Sequence, residues 1–363
     1  MKDKPWSLSG HSLRILKFFL LLALAGGLLF LAFRGVRIAT IIRDVGQANL
    51  FWVSGSALFS VAALVARAYR WNLLIEPLGY SPSLKNTTSS LMVGYLANLG
   101  LPRLGELTRC GSLSKAESIP FSPLLGTVIA ERLVDLISLF TCLLLLLIVE
   151  RNRFGTQFRS TILNPIIEPI ASHKWLALFL VIGVAGVFVV YRHFQSRQKG
   201  AGSFWSKLVI DLVTGLRSIT NLRRPWLFIF HSVLIWVLYF LGVYFCFLAL
   251  PYTADLGYRA ALFALVAGGF GMSAPVQGGI GAYHLLVSKG LMLYGVSQQD
   301  GLAFATLVHG LQILLVLLLG TASLILLFRE GRMSQINNLK PECVSREGGK
   351  AEPGETAISD VRE

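Results

Sequence analysis

Charged side chains recur inside or against apolar runs of this chain, where each ionised group at a helix centre costs about 2.5–3.5 kcal/mol. Four clusters stand out. The first is Arg67-x-x-Arg70-Trp71. Two arginines three apart share a helical face and could grip a phosphate in a forked contact. Arg and Trp at a membrane boundary also serve as ordinary anchors. The second runs from Asn98 through Gly100 and Pro102 to Arg103, Gly105, Glu106 and Arg109. Gly and Pro interrupt the helix there and free backbone groups that protein, water or ligand must satisfy. If the helix resumes after Pro102, Arg103, Glu106 and Arg109 fall on one face, a combination suited to keeping a carboxylate beside an anionic ligand. A salt-bridged loop that closes a hairpin is the other reading.

The third cluster, Glu131-Arg132-x-x-Asp135, lies within an apolar run that extends to Val149. Glu131 and Asp135 are four apart and share a face. They read as intramembrane pairing partners for Arg103 or Arg109, with a proton relay as the alternative. The fourth is Pro275-Val-Gln277-Gly278-Gly279-Ile280-Gly281-Ala-Tyr283-His284. Its glycines let the backbone approach a ligand or another helix closely, and a helix starting after Gly281 presents unpaired N–H groups. Tight helix packing uses small residues in the same way. No phosphate-loop lysine follows, so nucleotide binding is not supported.

The elements that must position these clusters are membrane helices. The hydrophobic share is 54% against a charged share of 14%, which places most of the chain in a bilayer. Six full spans are expected at 15–33, 50–66, 124–149, 175–191, 226–249 and 302–327. Two further regions, 87–101 and 260–294, are apolar but broken by Gly and Pro, and are expected as re-entrant hairpins. The expected fold is therefore all-α and polytopic. A 1–14 cytoplasmic N-terminus and a 15–328 helical membrane domain precede a 329–363 polar, disordered cytoplasmic tail. Lys2, Lys4, Arg14 and Lys17 precede an apolar run that continues past Ala25 to Phe33, so a retained first helix is expected rather than a cleaved signal.

The stretch 192–225 carries Arg192, Arg197, Lys199, Lys207, Arg217, Arg223 and Arg224 against Asp211, which marks it as cytoplasmic. With the N-terminus also inside, the spans alternate only if each broken hairpin returns to the side it entered. The two units of span, hairpin and span then have opposite orientation, an inverted repeat of the kind many transporters use. Eight ordinary helices with two glycine kinks are the alternative. From Gly200 to Leu222, Phe204, Leu208, Leu212, Leu216 and Ile219 recur at helical spacing, as in a helix lying on the inner surface.

Several function classes are excluded. The net charge of +14 falls beside membrane spans and not on a basic, aromatic-interleaved soluble face, so no nucleic acid is expected. Cys110, Cys142, Cys246 and Cys343 lack metal or disulfide spacing and read as free thiols. There is no Ser/His/Asp grouping and no metal-ligand spacing. No catalytic residue, metal or cofactor is implied.

Together the four motifs resemble the flippase-like family named after the membrane region of lysylphosphatidylglycerol synthases. The matching residues are Arg67-x-x-Arg70-Trp71, Pro102-Arg103-x-Gly105-Glu106-x-x-Arg109, Glu131-Arg132-x-x-Asp135 and Pro275-x-x-Gly278-Gly279-x-Gly281, and the likeness covers about residues 12–328. The family often has Glu where this chain has His284. The resemblance implies a multi-pass protein of the bacterial inner membrane, with both termini cytoplasmic. It also implies movement of an anionic or aminoacylated phospholipid, or another lipid-linked phosphate, between leaflets. The headgroup would then meet Arg103, Glu106, Arg109, Arg67, Arg70, Gly278, Gly279 and Gly281, while Glu131, Arg132, Asp135 and His284 form an intramembrane charge network. Only about 35 polar residues follow the last span, so the soluble transferase domain of true synthases is not expected, nor is enzyme activity. The alternative is a non-catalytic membrane partner of a separately encoded lipid-modifying transferase. A transferase embedded in the membrane is the weakest reading, because no nucleophile or base is set up.

Overall fold

The computed structural model describes residues 10–101, 104–151, 213–215 and 217–347. The expected span at 175–191 and most of the surface helix at 200–222 lie outside these residues. Ten helices follow in chain order among them: α1 (Gly10–Phe33), α2 (Ile38–Gly46), α3 (Leu50–Ile75), α4 (Leu84–Gly100), α5 (Leu104–Glu117), α6 (Phe121–Val149), α7 (Pro225–Ala249), α8 (Gly257–Ser273), α9 (Ala282–Leu291) and α10 (Gln298–Glu347). No strand occurs among the described residues.

Five stretches are long and apolar enough to cross a membrane: Leu50–Leu78, Phe121–Val149, Pro225–Ala249, Ala254–Ser273 and Gln298–Arg329. Leu22–Phe33 and Ile38–Gly46 would make a sixth span only as a pair bent by 82°. The expected span 15–33 lies within α1, and the bend comes after it, between Phe33 and Ile38. The surface has the polarity of a lipid-facing one. Ile137, Leu144 and Ile148 on α6 are exposed, whereas Glu131 on the same helix is fully buried. Apolar outside and ionisable inside is the reverse of a soluble helix, and it is what hydrocarbon around the protein requires. The all-α, multi-pass membrane fold is therefore as the sequence led us to expect. One boundary differs: α10 continues as helix past Arg329 to Glu347, where a disordered tail was expected.

Local chemistry sets the breaks. Asn49 caps α3 by accepting from the Phe51 N–H at 3.0 Å, and Ser83 caps α4 by accepting from the Asn86 N–H at 3.2 Å. Helix α4 stops at Gly100, just before Pro102, and α8 stops at Ser273, with Ala274 extended before Pro275. After Pro275 the chain takes positive φ at Gly278 (55°), Gly279 (77°) and Gly281 (84°), conformations that glycine alone reaches without strain.

Both broken regions are hairpins. At the base of the first, Glu117 Oε1 accepts from Ser83 N–H, Ser83 Oγ and Asn86 Nδ2, each at 2.9 Å; at its tip Asn98 Oδ1 accepts from the Gly105 N–H at 2.7 Å. Gly94 on α4 lies against Gly105 and Arg109 on α5, so the arms touch at backbone distance. In the second hairpin, Gly271 and Gly268 of α8 lie against Tyr283 of α9, and Gly290 lies against Phe263.

Helices α3 and α7 run antiparallel along their whole length. The Asn49 N–H donates to Ala249 O at 2.9 Å, Ser56 Oγ donates to Gly242 O at 2.8 Å, and Leu73 and Leu74 pack on Phe228. Each then leads into a hairpin and a long helix, α3 to α4/α5 and α6, α7 to α8/α9 and α10. The open end of the first hairpin packs at the C-terminal end of α3, where Trp71 and Ile75 meet Cys110, Leu113 and Ile119. The open end of the second packs at the C-terminal end of α7, where Phe247 and Leu250 share a core with Ala260, Leu291, Val296 and Phe304. Because α3 and α7 are antiparallel, the hairpins enter from opposite ends. Their tips meet, with the Leu99 side chain against Gly278.

Candidate functional site

Three arginines from two helices converge on two carboxylates of a third. Arg67 and Arg70, one turn apart near the end of α3, face the α6 pair Glu131 and Asp135, which are also one turn apart. Arg67 Nη2 donates to Glu131 Oε1 at 2.7 Å and to Asp135 Oδ2 at 2.8 Å. Arg70 Nη2 donates to Asp135 Oδ1 at 2.5 Å and to Glu131 Oε1 at 3.2 Å. From α5, Arg109 Nη2 donates to Glu131 Oε2 at 2.7 Å, and its guanidinium stacks over the Trp71 ring with 4.6 Å to the centroid. Trp71 is held in turn by an N–H bond to Thr127 Oγ1 at 2.9 Å. Tyr239 and Ser232 of α7 receive the remaining Nη1 groups of Arg67 and Arg70 at 3.3 and 3.4 Å.

Every charged side chain of this cluster is buried apart from Asp135, which keeps 15% exposure. Three guanidiniums against two carboxylates leave one positive charge in excess. Arg109 Nε and Nη1, with Arg67 Nε and Arg70 Nε, have no hydrogen-bond partner among the described residues. A buried site with surplus positive charge and spare N–H donors has the chemistry to hold an anion, and guanidinium is the side chain that meets phosphate or carboxylate in two bonds.

The description "lysylphosphatidylglycerol synthase TM region" fits residues 18–320, most of the chain. The chain belongs to this family. Among curated proteins it is similar to the UPF0104 membrane protein MJ1595 of Methanocaldococcus jannaschii, 32% identical over 98 residues. That match spans 26% of this chain and 29% of the relative. No solved structure matches. The part of the family that the chain matches is its membrane region, in keeping with the helices described above.

Within this family frame, the structure rearranges several expected groupings. Arg67 and Arg70 are not boundary anchors: 5% and 0% exposed, they point inward and are held by carboxylates. Glu131 and Asp135 do pair with arginine, as expected of intramembrane carboxylates, but with Arg67 and Arg70 as well as Arg109. Arg132 is not part of this buried network. Adjacent to Glu131, it turns about 100° away on the helix and pairs with Glu106 at 3.1 Å, with side chains 42% and 25% exposed. Glu106 Oε2 has no partner among the described residues. Arg103 lies outside the described residues.

His284, Gly278, Gly279 and Gly281 belong to the other half of the molecule. Gly278 meets Leu99, Gly279 meets Met272, and Gly281 lets α1 come against the break at Ala25 and Leu29. His284 stands apart from the carboxylates, beside His309, Tyr283 and Phe33. Here the glycines serve close helix packing. Sequence reasoning passed over His309 and named Gln277 within the fourth cluster without giving it a role. His309 is a single polar residue in the apolar run of α10, and Gln277 sits between a proline and two glycines; an isolated buried polar group was the available signal in both cases.

Proposed function

We propose that this protein moves an anionic phospholipid, or another lipid-linked phosphate, between membrane leaflets, with Arg109 meeting the headgroup. The observation that carries the proposal is the buried cluster with one positive charge in excess and unpartnered Arg109 donors. A charge buried away from water is stable only when countered, and a phosphodiester counters it while gaining forked hydrogen bonds. Arg67 and Arg70, each with two carboxylate oxygens, position Glu131 and Asp135. Arg109 has a single carboxylate bond and the most free donors. Glu106 and Arg132, partly exposed and paired, stand beside this site.

The opposed hairpins support the same reading. Two broken elements that enter from opposite ends and meet at their tips give a headgroup site two distinct approaches, which alternating exposure to the leaflets needs. Within this reading the chain sits in the bacterial inner membrane, and the segment 192–225, with its excess of Lys and Arg, supports a cytoplasmic placement for that segment. The reading assigns this chain transport and not catalysis.

The test is transbilayer movement of a fluorescent anionic phospholipid in vesicles holding the purified chain, beside Arg109→Gln and Glu106→Gln. Losing a hydrogen bond to a charged group costs about 1.5–3 kcal/mol, so Arg109→Gln is expected to slow movement about ten- to hundredfold while the protein still inserts. Movement by Arg109→Gln at the wild-type rate would refute the site. No movement of any lipid by the wild-type chain, together with a lipid-modifying enzyme co-purifying in mild detergent, would favour the partner role.

A further inference from the structure

Helix α2 follows α1 directly but does not continue it. The Val36 N–H donates to Phe33 O at 3.1 Å, Gly35 takes φ 79°, and helix resumes at Ile38, bent by 82° from the end of α1. The 24 residues of α1 measure about 36 Å, the length of a crossing helix, whereas the nine of α2 reach about 14 Å. A helix so short, set nearly at right angles to a crossing one, lies close to the membrane plane. Its side chains sort accordingly. At about 100° per residue, Ile38, Ile41, Ile42 and Val45 fall on one arc, and Thr40, Arg43 and Asp44 on the other. The protein uses half of the apolar arc: Ile41 is buried with Leu302 and Ala303 at the start of α10, and Val45 packs on the same cluster. The other half points outward, with Ile38 58% and Ile42 68% exposed. Leu50 and Phe51, which open α3 just after it, are 76% and 73% exposed. Exposed Arg34, Arg37 and Arg43 stand around this strip, and Asp44, paired with Arg43 at 3.5 Å, leaves residues 34–49 with two positive charges in excess.

We infer that α2 is a membrane-surface helix, which seats Ile38 and Ile42 among the acyl chains and sets Arg34, Arg37 and Arg43 against the phosphates of anionic phospholipid. Its partner is the lipid of the surrounding leaflet, which stays in place, and the surface is independent of the translocator reading. A bilayer edge is the occupant that fits both halves of the surface. It offers hydrocarbon and phosphate side by side, at the level where a crossing helix ends. The helix is at that level, because the Asn49 N–H just beyond it donates to Ala249 O, at the end of the bundle where α3 begins and α7 stops. The exposed isoleucines continue the arc that Ile41 and Val45 turn toward the bundle, while Arg43 and Asp44 lie on the far side, toward water. The cluster that holds Ile41 also takes in Phe33 and Val36 before α2 and Leu285 of α9. A seated α2 therefore braces the base of the second hairpin as well.

The experiment is spin-label accessibility of the full chain in nanodiscs of mixed phosphatidylcholine and phosphatidylglycerol. The native cysteines are replaced, and Ile38→Cys, Ile42→Cys, Arg43→Cys and Gln47→Cys are labelled one at a time. Oxygen concentrates in hydrocarbon, and a neutral nickel chelate stays in water. Labels at positions 38 and 42 are expected to meet oxygen in preference to the chelate, and labels at 43 and 47 the chelate in preference to oxygen. In discs of phosphatidylcholine alone, or with Arg34→Gln and Arg37→Gln together, chelate access at position 42 should rise about twofold or more, because the attraction to anionic headgroups is gone. Chelate access at all four positions would place α2 in water and overturn the inference. Shielding of 38 and 42 from both reagents would mean that protein covers them, and would overturn lipid as the occupant. Equal chelate access with and without phosphatidylglycerol would overturn the contact with anionic phosphate. None of these readings depends on lipid movement, so their failure would leave the translocator reading standing.

Discussion

Replacing Glu131 by Gln keeps the shape of the side chain and removes its charge, which makes it the sharpest probe of the buried cluster. Glu131 accepts from Arg67, Arg70 and Arg109 at 2.7, 3.2 and 2.7 Å and is fully buried. In Glu131→Gln, three guanidiniums face Asp135 alone, and the excess rises from one positive charge to two. Breaking a buried pair by neutralising one partner costs about 3–5 kcal/mol, because the other charges stay buried and uncompensated. The expected loss of stability is at the upper part of that range, since three partners are affected at once. The companion Arg109→Gln leaves Glu131 with two guanidiniums and should cost less. In the double variant, Arg67 and Arg70 face Asp135, and the excess returns to one. The double variant should therefore be more stable than the sum of the two singles predicts, by about 1–3 kcal/mol. The assay is denaturant unfolding in mild detergent, followed by thiol labelling of Cys110, which is buried beside Trp71 at the core of this region, with the other cysteines replaced. Additivity of the two substitutions to within about 0.5 kcal/mol would show that Glu131 and Arg109 do not share a charge balance, and the electrostatic account would fall.

Gly105→Ala should destabilise the first hairpin by about 1–3 kcal/mol, because a methyl there would run into the Gly94 carbonyl and the Asn98 amide; thermal unfolding in detergent measures it. Gly111→Ala, on the same helix with open space around it, should leave the unfolding temperature unchanged or raise it slightly. Cysteines placed at exposed Ser81 and Ser297, one at the base of each hairpin, should react with an impermeant maleimide from opposite sides of the membrane. Labelling of both from one side would rule out opposed hairpins.

Much of the fold was legible from residue order. The apolar runs identified the long helices, because hydrocarbon leaves the backbone little choice but to satisfy its own hydrogen bonds. Pro102, Pro275 and the glycines after it marked both helix breaks, since their φ restrictions act locally. Spacing alone also put Arg67 with Arg70 and Glu131 with Asp135 on shared faces. Which face met which was not legible. Whether an arginine near a span end anchors at the interface or turns inward depends on the helix packed against it, and here α6 supplies carboxylates at matching height. Arg132 shows the same limit: one residue from Glu131, it leaves the cluster because one step along a helix is a rotation of about 100°.

The sequence by itself determined that this is a helical membrane protein with two broken hairpins and ionisable groups at depth, because hydrophobic length and proline geometry are properties of short segments. Only the tertiary structure decided that three arginines share two carboxylates with a positive charge to spare. It likewise decided that His284 and His309 come together, with His309 on the Gly278 carbonyl. Charge balance and hydrogen-bond satisfaction are sums over neighbours from different helices, and those sums exist only once α3, α5 and α6, or α8, α9 and α10, have come together.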